Sequence, residues 1–254
     1  MTQASDGLKA IWRDGRPALG AFLFLRTDPV AAEAIAGFGF DYVCVDMQHG
    51  YADASDTVAL LQALSLGRTA PVVRVPWNSP DSIGRVLDAG ALGVIVPMVN
   101  TPEDAARAVA ACRYAPVGVR SYGPVRAGIA FGQDYFDVAN DRVACIPMIE
   151  TQQAVEHVDE ILAVPGIDAI YIGPTDLSVS YGLAPAFDHA GGPFEAALQR
   201  VLDACARHGV VAGIHATGAL AAKRLGAGFR MVTVANDLNA LLSGLRRELK
   251  VARA

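Results

Sequence analysis

Two short apolar runs in this chain end abruptly in an acid. IPMIETQQ, residues 146–153, carries Glu150, and IYIGPTDLS, residues 170–178, runs into Asp176. Apolar runs of this length, flanked by helical patterns, read as buried parallel strands. A carboxylate at the end of such a strand stands where a core opens to solvent. Neighbouring strands lie about 4.8 Å apart, so acids at adjacent strand ends can reach one ion. Two carboxylates, with substrate oxygens and water in the other positions, are a common way of holding Mg²⁺ or Mn²⁺. The same residues allow a purely structural arrangement, with Glu150 paired to Arg74 and Asp176 capping a short helix that starts at Thr175.

Other strand ends add to the set. One apolar run closes in Asp46-Met47-Gln48-His49, another carries Arg74, and a third ends in His215. In YVCVDM, Cys44 and Asp46 share one face while Val43, Val45 and Met47 share the other, which points Asp46 inward. Arg74 alternates against Val73 and Val75 in the same way. Inward-facing charges must be paired or at work, because an unpaired buried charge is very costly. His49 precedes Gly50 on a loop, where it can move protons, and an acid three residues earlier could fix its tautomer. GPTDLS offers backbone N–H groups at a loop-to-helix junction, which suits a carboxylate. His157, His189 and His208 fall on solvated or loop positions and carry no chemistry. The three lysines, Lys9, Lys223 and Lys250, all stand away from strand ends, so a Schiff-base mechanism has no nucleophile.

Elements of one kind must position these groups. Strands are expected at 18–25, 42–47, 71–76, 93–98, 143–150, 169–173, 210–215 and 230–235. Helices are expected at 29–38, 53–66, 80–89, 102–113, 151–163, 193–207, 217–226 and 236–250, with Asp53, Ser79, Thr101 and Thr151 as starting caps. Gly39, Gly90 and Gly226 read as helix stops. Eight βα units in 254 residues are what a single-domain (β/α)₈ TIM barrel needs. One segment, about 115–141, breaks the rhythm; rich in Gly, Arg and aromatics, it reads as an inserted functional or subunit-contact loop. Net charge is −5 with 52% hydrophobic residues, which gives no footprint for nucleic acid. No apolar run is long enough for a transmembrane helix. The first twenty residues lack the layout of a signal peptide, so the protein reads as cytoplasmic. The four cysteines, Cys44, Cys112, Cys145 and Cys205, read as reduced core residues.

Several stretches together resemble the HpcH/HpaI aldolase/citrate lyase family. They are VDMQHGYAD, PVVRVPWN, GALGVIVPMVNTPEDA, YAPVGVRSYGP, the whole of 146–178, and GAGFRMVTVANDLNAL. The resemblance implies a class II pyruvate aldolase that depends on a divalent metal (Mg²⁺, Mn²⁺ or Co²⁺). Its substrate would be a 4-hydroxy-2-keto acid, cleaved to pyruvate or hydroxypyruvate and an aldehyde. It places the metal on Glu150 and Asp176, the catalytic histidine on His49 with Asp46 as partner, and the enolate-stabilising arginine on Arg74. The keto-acid carboxylate falls on the amides of Gly173, Thr175 and Asp176. It also implies a homohexamer, with the helix 236–250 at a subunit contact. Two departures stand out. Met148 replaces a glutamine of some members. His215 stands where an aliphatic residue packs on the aldehyde chain of relatives acting on long diacids, which suggests a small hydroxylated aldehyde. Arg120 in RSYGP is a candidate for the site mouth. An acyl-CoA lyase of the malyl- or citramalyl-CoA kind, or an oxaloacetate decarboxylase, are the alternatives on the same barrel.

Overall fold

Apolar strands alternate with Ala-rich helices until the last strand returns to the first. A computed structural model describes residues 7–25 and 28–254. Residues 1–6, the start of the stretch read above for a leader, lie outside the described residues. The strands are β1 (Ala18–Leu23), β2 (Tyr42–Asp46), β3 (Ala70–Arg74), β4 (Gly93–Val96), β5 (Ala144–Ile149), β6 (Ala169–Ile172), β7 (Val211–His215) and β8 (Met231–Asn236). They form a closed parallel barrel in sequence order, β8 pairing with β1. The first helices are α1 (Leu8–Arg13), α2 (Pro29–Ala36), α3 (Ala54–Leu64), α4 (Pro80–Asp88) and α5 (Pro102–Cys112). Next come α6 (Val125–Phe131), α7 (Tyr135–Arg142), α8 (Gln152–Glu156) and α9 (Val158–Leu162). The ring is completed by α10 (Pro174–Ser180), α11 (Gly192–His208), α12 (Gly218–Ala227) and α13 (Asp237–Ala252). None is long and apolar enough to cross a membrane.

The strands alternate as their sequences require. Val43, Val45, Val73 and Val75 face outward into the layer shared with the helices. Tyr42, Cys44, Val72, Met148 and Tyr171 fill the barrel interior. All four cysteines are buried and unbridged. Local signals anchor several helix starts. Asp53 and Thr101 each form a reciprocal capping box, with Asp56 and Asp104 respectively, of a kind worth about 1 kcal/mol. Thr151 accepts from the Ala154 N–H. Ser79 departs from expectation, because its hydroxyl engages Ser82 rather than the helix backbone. The helix expected at 151–163 divides at His157, whose backbone is not helical. The left-handed residue that ends α12 is Gly228, two residues beyond the expected Gly226.

The inserted segment is not a bare loop. It carries α6 and α7, and a small core of Tyr114, Ala127, Tyr135 and Ala139 holds them together. Arg120 belongs to that core and not to the site mouth. Its guanidinium is buried, donates to Asp88 (2.8 Å) and to Tyr135 Oη (3.2 Å), and lies over the Tyr114 ring. Asp88 closes α4, so Arg120 sits at the end of the barrel opposite the strand C-termini. At the chain's end, α13 buries no residue completely, and Leu241, Leu245 and Leu249 are half-exposed along it.

Candidate active site

Asp46 and Arg74 are register partners on β2 and β3. Closure of the barrel therefore sets them side by side. Arg74 donates from Nε to Asp46 Oδ1 (2.7 Å) and from Nη2 to Oδ2 (2.6 Å), a bidentate pair with Asp46 fully buried. The Gln48 N–H adds a third bond to Oδ1 (3.1 Å). The expected pairing of Asp46 with His49 is not formed here: the carboxylate accepts from Arg74 and the Gln48 N–H, and His49 makes no bond to it. The bidentate pair also removes the structural alternative in which Arg74 pairs with Glu150. Nη1 of Arg74 has no hydrogen-bond partner among the described residues, and Arg74 lines the cavity described below.

Glu150 follows β5 almost wholly buried, and the one donor to it among the described residues is the Met98 N–H at 2.7 Å from Oε1. Met98 follows β4 with φ at 55°, a strained conformation for a side chain-bearing residue, and this turn aims its amide at the acid. Burial pushes the Glu150 carboxyl up to about 7, the Met98 amide opposing and the Asp176 charge adding to the shift. Oε2 faces Gly173, where a Cβ would come within 2.7 Å of it and within 3.0 Å of Met148 Cε. The glycine therefore leaves a space at the carboxylate that any side chain would fill. Asp176 stands exposed in the first turn of α10 and caps nothing. The first backbone bond of that helix is Leu177 N–H to Gly173 C=O, so the Thr175 and Asp176 amides are left without helical partners. Two acids, a raised carboxyl and the space at Gly173, with Arg74 already bonded to Asp46, form a donor set that fits a hard divalent ion. Among the described residues no group of three or more His, Cys, Asp or Glu comes together to hold a metal ion, here or elsewhere, so the protein's share of this donor set is two acids.

His49 is exposed and has no hydrogen-bond partner among the described residues. The turn that carries it is tight: a Cβ on Gly50 would lie 2.1 Å from the Asp46 carbonyl oxygen. His215 is held quite differently. Its ring lies against Phe22 (4.9 Å between centroids), Phe187 (5.6 Å) and Phe24 (6.1 Å), and Nδ1 is 3.2 Å from Tyr171 Oη. Burial, aided by the Arg74 charge, lowers it to about 4, so the ring is neutral at pH 7.

These groups line one cavity of about 260 Å³ at the C-terminal ends of the strands. His49, Arg74, Gly173, Thr175, Asp176 and His215 all contribute, and Glu150 lies beneath Gly173. Sequence reasoning missed Phe24, Tyr171, Phe187 and Asn239 as walls, and Met98 as the donor to Glu150. Phe24 follows β1 and Asn239 opens α13, positions no motif marks. No lysine lines the cavity; Lys9 pairs with Asp168 and Lys223 with Asp188.

Comparison with known proteins adds chemistry to this geometry. The family model described as HpcH/HpaI aldolase/citrate lyase matches residues 20–243. A hydroxypyruvate/pyruvate aldolase of Rhizorhabdus wittichii is 40% identical over 248 residues, 97% of this chain and 98% of that one. A 4-hydroxy-2-oxo-heptane-1,7-dioate aldolase of Salmonella paratyphi A is 37% identical over 94% of this chain and 90% of its own. The crystal structure of an HpcH/HpaI aldolase/citrate lyase family protein from Burkholderia cenocepacia J2315 superposes with a TM-score of 0.90. It is 37% identical, over 97% of this chain and 99% of that one.

Two predictions follow from the electrostatics. Asp46→Ala leaves a buried guanidinium unpaired and is expected to cost about 3–5 kcal/mol, part of which Arg74→Met should restore in the double variant; simple additivity in urea unfolding would contradict the pairing. His215, neutral in the fold but protonated in the unfolded chain below its ordinary pKa of 6.5, lowers stability as the pH falls from 6.5 towards 4. Between pH 7 and pH 5, metal-free wild type should therefore lose about 2 kcal/mol more than His215→Phe. The raised carboxyl of Glu150 acts in the opposite sense in both proteins and cancels. Equal pH slopes would count against the neutral, buried ring.

Proposed function

The chain belongs to the HpcH/HpaI aldolase/citrate lyase family, and from that premise we propose a divalent-metal-dependent aldolase. It cleaves a 4-hydroxy-2-keto acid reversibly to pyruvate, or hydroxypyruvate, and an aldehyde. The observation that carries this reading is the pair of uncompensated acids, Glu150 and Asp176, beside an arginine already fixed by Asp46. A Mg²⁺, Mn²⁺ or Co²⁺ ion held by these two acids would supply Lewis acidity to the keto acid.

The chain's own residues do the rest. The amides of Thr175 and Asp176, with Gly173 leaving room, receive the keto-acid carboxylate. Arg74, oriented by Asp46, presents Nη1 to the keto oxygen and stabilises the negative charge that develops there. Because the fork is locked before substrate arrives, little reorganisation is needed as charge moves. His49, unpartnered at the rim, takes the proton from the 4-hydroxyl in cleavage and returns it in the aldol direction. His215 and the phenylalanines border the aldehyde half. The two proteins named above, a hydroxypyruvate/pyruvate aldolase and a heptanedioate aldolase, support the same reaction with different aldehydes.

We read the protein as cytoplasmic and homo-oligomeric, a hexamer by family resemblance. The half-exposed leucines of α13 and the exposed Val125 and Ile129 of α6, in the inserted segment, support subunit contacts.

The test is pyruvate release from a panel of 4-hydroxy-2-keto acids by chelator-stripped enzyme, with and without restored metal. Activity should vanish with the metal and return on addition. Glu150→Gln should remove it, and His49→Ala should lower kcat by about 10²–10⁴-fold. Full activity in chelator, or in Glu150→Gln, would overturn the metal assignment.

A further inference from the structure

Three buried hydroxyls lead from the barrel interior to His215. Tyr42 Oη lies 2.7 Å from Thr233 Oγ1, Thr233 Oγ1 lies 2.5 Å from Tyr171 Oη, and Tyr171 Oη lies 3.2 Å from His215 Nδ1. Tyr42, Tyr171 and Thr233 are all but inaccessible to solvent. Tyr171 also lies close to the Tyr42 hydroxyl, but among the described residues only these three contacts to the three oxygens have hydrogen-bond geometry.

The direction of this chain follows from counting protons. There are three links, and the hydroxyls carry one proton each. Run as Tyr42 to Thr233 to Tyr171 to Nδ1, every proton is donated and every link is made. If Nδ1 carried a hydrogen there would be four protons for three links. One hydroxyl would then be left buried without an acceptor, at a cost of about 1–3 kcal/mol. Burial pushes both phenols well above their ordinary range, so they remain donors.

We infer that the Tyr42–Thr233–Tyr171 chain fixes His215 as the tautomer with its hydrogen on Nε2, and that this N–H selects an aldehyde bearing a hydroxyl beside its carbonyl. The inference rests on the aldolase reading of the cavity. Nε2 has no hydrogen-bond partner among the described residues and is not sealed from solvent, so it opens onto the cavity that His215 lines. The aromatic rings of Phe22 and Phe187 hold the plane of the imidazole. A neutral donor facing the aldehyde half calls for an oxygen acceptor. A carboxylate is the poorer choice, since Glu150 and Asp176 already make the cavity acidic and Arg74 is engaged by Asp46 and, on the aldolase reading, by the keto oxygen. An alkyl chain leaves Nε2–H unpaired, the situation in which a polar site discriminates best. His215 is thus the specificity residue, and Tyr171, Thr233 and Tyr42 are positioning residues.

The experiment has two readouts on the full-length protein. Long-range ¹⁵N–¹H NMR of ¹⁵N-histidine-labelled enzyme at pH 7, with His215 assigned through His215→Phe, should show a bare Nδ1 and a protonated Nε2. A hydrogen on Nδ1, or an imidazolium, overturns the inference even if every variant folds poorly. The second readout is the aldol direction with pyruvate, comparing kcat/KM for glycolaldehyde and acetaldehyde. Wild type should favour glycolaldehyde. That ratio should fall about tenfold in His215→Phe, Tyr171→Phe and Thr233→Val, chiefly through KM for glycolaldehyde. Tyr171→Phe and Thr233→Val should also give a mixture of tautomers. Ratios unchanged from wild type overturn the donor's role. Absence of turnover with both aldehydes, beside the expected tautomer, overturns the aldolase reading and the donor's role with it.

Discussion

Everything at the barrel mouth depends on one imbalance of charge. Among the described residues three carboxylates, Asp46, Glu150 and Asp176, converge there with a single guanidinium, Arg74. Strand register decides which acid receives it, because Asp46 and Arg74 face each other across β2 and β3. Glu150 is left with a backbone amide and an open space at Gly173. Buried beside a second acid, its carboxyl rises to about 7. A cation that screened both acids would relieve the repulsion and restore the charged form.

The fold divides its chemical groups into fixed and free. Arg74 is locked by two short bonds to Asp46, and His215 by three aromatic rings and a phenol. Both stand on strands, where neighbouring chains leave little latitude. His49 stands on a loop with no hydrogen-bond partner among the described residues. Groups that must stabilise charge benefit from being held before the reaction begins. A group that must accept and return a proton benefits from room to move.

Much of this was legible in the sequence, for reasons that separate cleanly. The strands were visible because their apolar alternation is local, and Asp46 and Arg74 were placed inward by the same alternation. Their mutual pairing was not visible, because it depends on barrel register, and a histidine three residues away looked the nearer partner. Met98 was invisible for a different reason: a backbone N–H has no residue-type signature, and a positive φ on methionine announces nothing. The helices at 125–131 and 135–142 were hidden in a Gly- and Arg-rich stretch whose buried Arg120 read as a candidate for the site mouth. Tyr42, Tyr171 and Thr233 read as ordinary strand residues, and only the closed barrel brings three distant hydroxyls into one line.

The most direct measurement is calorimetric titration of Mn²⁺ into chelator-stripped protein at pH 7, in buffers of different ionisation enthalpy. The charge imbalance predicts one ion bound per chain, with part of a proton released as the Glu150 carboxyl gives up its hydrogen. Glu150→Gln should abolish that release and most of the affinity. Failure to bind Mn²⁺, or binding with undiminished affinity in Glu150→Gln, would show that the two acids are not the metal site.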